Sequence, residues 1–302
     1  MVCQRNFRLK SVNLSRSSFI QKRLMTNTIL VPTDFSDCAR FAEQAAVEIA
    51  LRKKSSLTFI HGMSVGFRWD LLPAKRQKQY PEVLASLKQA EQMLDNRITE
   101  AAQEGVEAKK SIVFIEGQKS MGNNLLENGY EMIVMGAVGD NDPSKFVIGA
   151  NTARVLRTST TPILSFKKAA PHPLAFKTIV YASGLEPDTH EAFERFLSFA
   201  KTMGVEDLHL VEVTTLHNFK PSSEVRERME GFIAQHDFKN IWLHNYNHYT
   251  IEAGIIEFAT RIKADLLAIA NHGRTDISSL FIQSVPENLV KFSHFPVFSI
   301  RV

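Results

Sequence analysis

Three glycines carry the spacing most suggestive of chemistry in this 302-residue chain: Gly136-Ala137-Val138-Gly139, then nine residues, then Gly149-Ala150-Asn151-Thr152. The first pair follows an apolar run, and the third leads into an apparent helix through Leu156. Glycine permits positive φ and lets the backbone approach a ligand closely. A helix start directs unpaired N–H groups and the positive end of its dipole outward, an arrangement suited to phosphate oxygens. The Thr152 hydroxyl and the Asn151 amide can add donors, or either can simply cap the helix. A second segment, Val31-Pro32-Thr33-Asp34-Phe35-Ser36, puts a carboxylate just past an earlier apolar run. Asp34 can accept a hydrogen bond from an adenine amino group. Its alternative role is helix N-capping, which Ser36 serves equally well. A bare Gly-x-x-Gly is common, so the reading depends on both segments reaching the same sheet edge.

The elements that would bring them together occur twice in the same order. The first copy opens at Thr28-Ile29-Leu30-Val31-Pro32 and the second at Thr178-Ile179-Val180-Tyr181-Ala182, each a short run that reads as a buried strand. Helical periodicity follows in both, through Phe41, Ala45 and Ile49 in one and Phe193, Phe196, Leu197 and Ala200 in the other. Second strands are expected at Leu57–His61 and Leu208–Val213. Tyr130–Gly136 then corresponds to Lys263–Ala270, and Thr161–Phe166 to Phe295–Ile300, with Pro162 and Pro296 at strand starts where proline is tolerated. Ala169-Ala170-Pro171-His172-Pro173 sustains neither helix nor central strand and marks a boundary. The resulting expectation is a basic tail over 1–25, a domain over 26–168, a linker over 169–175 and a second domain over 176–302. Strands alternating with helices imply two tandem, doubly wound parallel-sheet domains of Rossmann-like α/β type. Such sheets bind ligands beyond the carboxyl ends of their strands, where strand order reverses.

Composition bounds the remaining classes. Hydrophobic residues make up 44% and charged residues 23%, as in ordinary soluble globular proteins. No apolar run approaches the ~18–20 residues that cross a bilayer, so a membrane role is not expected. The net charge of +4 sits at the front: Arg5, Arg8, Lys10, Arg16, Lys22 and Arg23 all precede Asp34, the first acidic residue. The body is slightly acidic, which argues against nucleic acid as a partner. The Arg- and Ser-rich tail reads as an organelle transit peptide or as sequence upstream of a start at Met25, and the second reading is preferred. It is expected to be disordered. Two cysteines, Cys3 and Cys38, imply no disulfide framework and fit a reducing cytoplasm.

Taken together these segments resemble a tandem member of the universal stress protein family, over essentially all of Thr28 to Val302. The resemblance implies an adenine nucleotide alpha hydrolase-like fold binding ATP or AMP, with Mg accompanying ATP, in the first domain. It implicates Pro32 and Asp34 beside adenine, the backbone near Gly62, and Met135, Gly136, Gly139, Gly149, Asn151 and Thr152 around ribose and phosphates. The family's Ser or Thr after the third glycine is Ala150 here, which removes one hydroxyl donor. In the second copy the position of Asp34 falls to Ser183, and the loop reads Ala270-Asn271-His272-Gly273, nine residues, then Gln283-Ser284. Two of three glycines are lost there, so that half is expected not to bind ATP in the family's manner. The resemblance further implies that Pro162–Phe166 and Pro296–Ile300 pair within the chain as an internal pseudo-dimer, with a homodimer as a further association.

No nucleophile and base flank the glycine loop, and no Walker Lys-Ser/Thr follows it, so the expectation is a binding protein and not an enzyme. Slow hydrolysis assisted by Mg held at Asp34, Asp140 or Asp142 is one rival; an empty scaffold that only associates is another. Lys145 can reach an anion, though Asp140 and Asp142 beside it favour a solvated loop. His244 and His248 have the spacing of two zinc ligands on a helix, but Ile241–His244 reads as strand and Asn245–Asn247 as loop. Cys38 reads as a packing residue. The segment from Phe67 to Tyr80 reads as a helical connection to a long helix over Val83–Ala102, not as an aromatic-basic nucleic-acid surface.

Overall fold

The computed structural model describes residues 26–116, 129–138, 147–169, 171–271 and 285–302. Gly139, Asp140, Asp142 and Lys145, the second copy's His272, Gly273, Gln283 and Ser284, and the tail over 1–25 lie outside the described residues.

The first half runs β1 (Thr26–Thr33), α1 (Asp37–Lys53), β2 (Ser56–Val65), α2 (Ala74–Gln77), α3 (Pro81–Gln103), β3 (Ala108–Glu116), β4 (Tyr130–Gly136), α4 (Ala150–Thr158) and β5 (Ile163–Phe166). The second runs β6 (Thr178–Ala182), α5 (His190–Met203), β7 (Asp207–Thr214), α6 (Ser222–Ile233), β8 (Ile241–Asn247), α7 (Ile251–Arg261), β9 (Leu266–Asn271), α8 (Val285–Phe292) and β10 (Val297–Arg301). All ten strands form one sheet in the order β3-β2-β1-β4-β5-β10-β9-β6-β7-β8. Every neighbouring pair is parallel except β5 and β10, which run antiparallel with Val297 opposite Ser165 and Ser299 opposite Ile163. The carboxyl ends of the two half-sheets therefore face opposite ways.

Strand residues alternate between two buried layers, as a sheet covered on both faces requires. Ile29 and Val31 join α1, α3, α5 and α6 in one layer, while Leu30 joins α4, α7 and α8 in the other. Pro162 and Pro296 stand just ahead of β5 and β10, where their missing N–H costs nothing. Their carbonyls accept hydrogen bonds from Ile133 (2.8 Å) and Leu267 (3.0 Å). The linker is fastened to α1: Glu48 accepts from the Leu174 N–H at 2.6 Å, and Arg52 donates to the Leu174 carbonyl at 2.5 Å. No described helix is long and apolar enough to cross a membrane.

The connection from Phe67 to Tyr80 contains one 3-10 turn, Trp69–Leu71, and the single turn α2. Its aromatic side chains pack inward, with Trp69 buried against Phe114 at 6.0 Å.

β8 corrects one expectation. The strand continues through Asn247, because Asn245, Tyr246 and Asn247 extend the ladder opposite Glu212, Val213 and Thr214. His244 is a strand residue whose Nε2 lies 2.9 Å from His209 Nδ1. His248 sits 3.4 Å from Glu257, and among the described residues no group of three metal-ligating side chains forms. Burial, then His209 and Arg261, push the His244 imidazole down to about 4. In the unfolded chain it would titrate near 6.5. Between those values the unfolded state holds the proton and the folded state does not, so stability falls as pH drops through that window. His209 is shifted in the same direction by burial. Thermal melts across this range should show the wild type losing more melting temperature than His244→Phe; equal losses would exclude the imidazole as the cause.

Candidate functional site

Strand order reverses between β1 and β4, whose crossovers leave on opposite sides, so their carboxyl ends part into a cleft. The cleft has a volume of about 280 Å3 and is lined by Pro32, Thr33, Asp34, Ala39, Gly62, Met135, Gly136, Val138, Gly149, Ala150, Asn151 and Thr152. Eight of the nine residues nominated from sequence are in that lining, and Gly139 lies outside the described residues. Four lining residues were not nominated: Thr33, Val138 and Ala150 each adjoin a nominated residue in sequence, whereas Ala39 is brought to the wall by the contact of α1 with Gly136.

The turn leaving β1 is a compact hydrogen-bonded unit. Phe35 adopts φ 65°, an uncommon conformation for a non-glycine residue. Its N–H donates to Thr33 Oγ1 at 3.0 Å. Asp34 Oδ1 accepts from the Ser36 N–H at 3.1 Å and from the Ser36 hydroxyl at 2.6 Å, and Ser36 Oγ in turn accepts from the Ala39 N–H at 3.3 Å. Ser36 is therefore the N-cap of α1, and Asp34 stands outside it, exposed at the cleft. Asp34 Oδ2 takes no part in this turn. Because the Thr33 carbonyl can only accept, His61 Nδ1, 2.9 Å away, carries the proton in that contact. The His61 ring stacks on Phe35 with centroids 4.6 Å apart.

Beneath this turn lies a buried charge cluster. The Thr33 hydroxyl donates to Glu43 Oε1 at 2.5 Å. Glu43 is 2% exposed and pairs with Arg97 Nε at 2.6 Å, with Arg40 at 3.6 Å.

On the opposite wall the glycines act differently from the sequence expectation. Among described glycines, positive φ occurs only at Gly105, Gly129 and Gly204, and Gly149 has φ −63°. What Gly136 supplies is room: a Cβ there would lie 2.8 Å from the Ala39 nitrogen and 2.9 Å from the Cys38 carbonyl carbon. Its absence lets the first turn of α1 rest directly on the end of β4. The Thr152 hydroxyl donates to the Gly136 carbonyl at 2.9 Å, tying α4 to the same strand end. Gly149 precedes α4 without a side-chain cap. The donors facing the cleft from α4 are thus main-chain N–H groups of its first turn, which have no partner within the helix.

Cys38 is buried and donates to the Lys167 carbonyl at 3.3 Å. Burial pushes its thiol up, the opposite of what a reactive thiolate needs, so packing is its role.

In the second half, Thr178 pairs with Asp207 as Thr28 pairs with Ser56. Leu185 has φ 60° and donates to the Ser183 hydroxyl at 2.9 Å, as Phe35 does to Thr33. This equivalence corrects the sequence alignment by one residue: Ser183 matches Thr33, and the counterpart of Asp34 is Gly184. The carboxylate is missing from the equivalent position either way. The same ladders match Gly62 with Val213, which is buried. Arg228 lies over this turn, donating to the Gly184 carbonyl at 2.6 Å and to Glu212 at 3.0 Å. Where Asp34 stands exposed in the first half, the matching turn of the second half is held by the Arg228 side chain.

A sequence model described as the universal stress protein family matches residues 25–167 and 248–301. The chain is similar to a universal stress protein of Methanocaldococcus jannaschii, at 25% identity over 148 residues that cover 46% of this chain and 81% of that protein. It is similar to a universal stress protein of Bacillus subtilis, at 27% identity over 145 residues, 46% of this chain and 98% of that one. Among solved structures, a universal stress protein from Archaeoglobus fulgidus shares the fold with a TM-score of 0.68 at 17% identity, covering 91% of this chain and 97% of that chain.

Proposed function

We propose, from the premise that the chain belongs to the universal stress protein family, that the cleft at the ends of β1 and β4 binds an adenine nucleotide, ATP or AMP, without efficient hydrolysis. The observation that carries this reading is the convergence of Asp34 with the N-terminal end of α4 around one open cleft. Asp34 accepts from the adenine amino group, the backbone at Pro32 and Gly62 borders the base, Met135 and Gly136 border the ribose, and the first turn of α4 with Gly139 and Asn151 meets the phosphates. Thr152 holds the wall in place through Gly136. Magnesium would arrive with ATP.

The reading is of a binding role and not a catalytic one; among the described residues Asp34 is the one titratable side chain in the lining. Ligand bound against the loop from Gly136 to Gly149 would change what the protein can contact, through its differential affinity for two conformations. The second half serves as a built-in partner, joined through β5 and β10, whose pairing covers two strand edges that would otherwise be open. A cytoplasmic location fits this reading.

The test is calorimetric titration of the purified protein with ATP and AMP, alongside analysis of nucleotide that copurifies. Binding that Asp34→Ala weakens is expected. Ala150→Ser should tighten it several-fold, since one added hydrogen bond contributes ~0.5–1.5 kcal/mol. No heat and no thermal shift at millimolar nucleotide would leave the cleft without this function.

A further inference from the structure

The ten-stranded sheet has two outer edges, and they differ in chemistry. β3 carries Lys109, Lys110 and Glu116. β8 reads Ile-Trp-Leu-His-Asn-Tyr-Asn, with no Lys, Arg, Asp, Glu, Gly or Pro and no break in its register against β7. An open edge offers a row of N–H and C=O groups to any other strand, and soluble proteins usually blunt such edges with charge, proline or a bulge. β8 has none of these. Among the described residues it pairs only with β7.

The groups facing outward follow from the ladder. The Leu208 N–H donates to the Asn240 carbonyl at 3.0 Å, and the His248 N–H donates to the Thr214 carbonyl at 3.0 Å. Bonding directions alternate along a strand, so the even-numbered residues of β8 face β7. Ile241, Leu243, Asn245 and Asn247 therefore present their N–H and C=O groups to the open side.

We infer that β8 is a self-association edge, pairing antiparallel with β8 of a second copy of this chain about a two-fold axis through His244. In that register Leu243 meets Asn245 of the second copy and Ile241 meets its Asn247, each in a doubly hydrogen-bonded pair. Trp242 and Tyr246 of the two copies then stand opposite one another on both sides of the axis, an aromatic cross-strand pairing that stabilises antiparallel strands. Trp242 is 54% exposed in the single chain. The uncharged edge favours a second copy because like edges meet without repulsion, and His244, titrating at about 4, is neutral where the copies touch. The chain already joins its own two half-sheets antiparallel, through β5 and β10. Seven residues make a small interface against the ~1,200–2,000 Å2 of stable complexes, so the dimer should be reversible and concentration-dependent.

The test is sedimentation velocity of the full chain over a dilution series, with hydrogen exchange of the β8 amides. The expected result is a monomer–dimer equilibrium in which the outward amides of Leu243 and Asn245 gain protection as concentration rises. Trp242→Lys introduces a charge opposite Tyr246, and Asn247→Pro removes an outward donor without touching the β7 ladder. Each should weaken association at least ten-fold while the melting curve of the dilute protein is kept; if Trp242→Lys unfolds the chain, Asn247→Pro decides alone. A monomer at every concentration, a dimer indifferent to both changes, or association only with a different protein overturns the inference.

Discussion

Gly136→Ala should destabilise the protein and abolish nucleotide binding together. The added methyl would stand 2.8 Å from the Ala39 nitrogen and 2.9 Å from the Cys38 carbonyl carbon, both main-chain atoms in the first turn of α1. Neither is the flexible end of a side chain, so relief requires the helix to lift. Lifting it drags the Ser36 cap and the Asp34 turn that the cap holds. Overpacking of this kind costs ~1–3 kcal/mol, and the same displacement moves the carboxylate proposed to read adenine. Gly149→Ala is the contrasting control. A Cβ at Gly149 would sit at an ordinary 3.5 Å from the Ala137 oxygen and the Thr152 hydroxyl, with φ −63° acceptable to any residue. Its stability should change by no more than ~0.5 kcal/mol. Chemical denaturation of both variants, with nucleotide titration of each, checks the pair; a Gly136→Ala protein as stable as the wild type would contradict the close approach of α1 to β4.

Arg97→Met should be the more damaging single change to stability. Glu43 is 2% exposed, and Arg97 is its closest cationic partner at 2.6 Å; Arg40 at 3.6 Å is weaker and more exposed. Removing one member of a buried ion pair leaves an uncompensated charge and costs ~3–5 kcal/mol. Here Arg40 and the Thr33 hydroxyl soften the loss toward the lower end. Replacing both members, Glu43→Leu with Arg97→Met, removes the stranded charge, and most of the lost stability should return. The cluster also bears on the cleft, because Thr33 donates to Glu43 while receiving the Phe35 N–H that shapes the turn. Arg97→Met should therefore weaken nucleotide binding although Arg97 does not line the cleft. Urea denaturation of the two single variants and the double variant forms the cycle; a loss below ~1 kcal/mol for Arg97→Met would show the pair to be dispensable.

Much of the architecture was readable from local pattern. Runs such as Ile29-Leu30-Val31 and Leu266-Leu267-Ala268 bury alternate residues on opposite faces, so their continuous apolarity identifies strands covered on both sides. Phe193, Phe196, Leu197 and Ala200 recur at helical spacing and are all buried on α5. The candidate site was legible for the same reason: Asp34, Gly136, Gly149 and Thr152 each stand at or just past the end of a strand or at a helix start, positions that a doubly wound sheet gathers at one end.

What local pattern could not supply were relations between residues distant in the chain. Asn245-Tyr246-Asn247 has turn-like composition, and only its register against β7 makes it strand. Asp34 and Ser36 are equally good caps on paper; the turn geometry gives the cap to Ser36 and leaves Asp34 at the cleft. A glycine's type does not say whether it serves φ or space, and Gly136 serves space because α1 lies against it. Gly184 replaced Ser183 as the partner of Asp34 once the strand ladders aligned the halves.

The repeated α/β order and the residues that gather at one sheet end were readable from the chain alone, because periodicity and turn chemistry act over a few neighbouring residues; the family was a resemblance carried by the glycine spacing and Asp34, and the family match bears it out. Only packing settled the Glu43–Arg97 cluster, the reason for Gly136, the contact of Arg228 with the Gly184 turn and the place of β8 at an outer edge of the sheet among the described residues. Each of these is a distance between side chains or strands far apart in the chain, and such distances are set by packing.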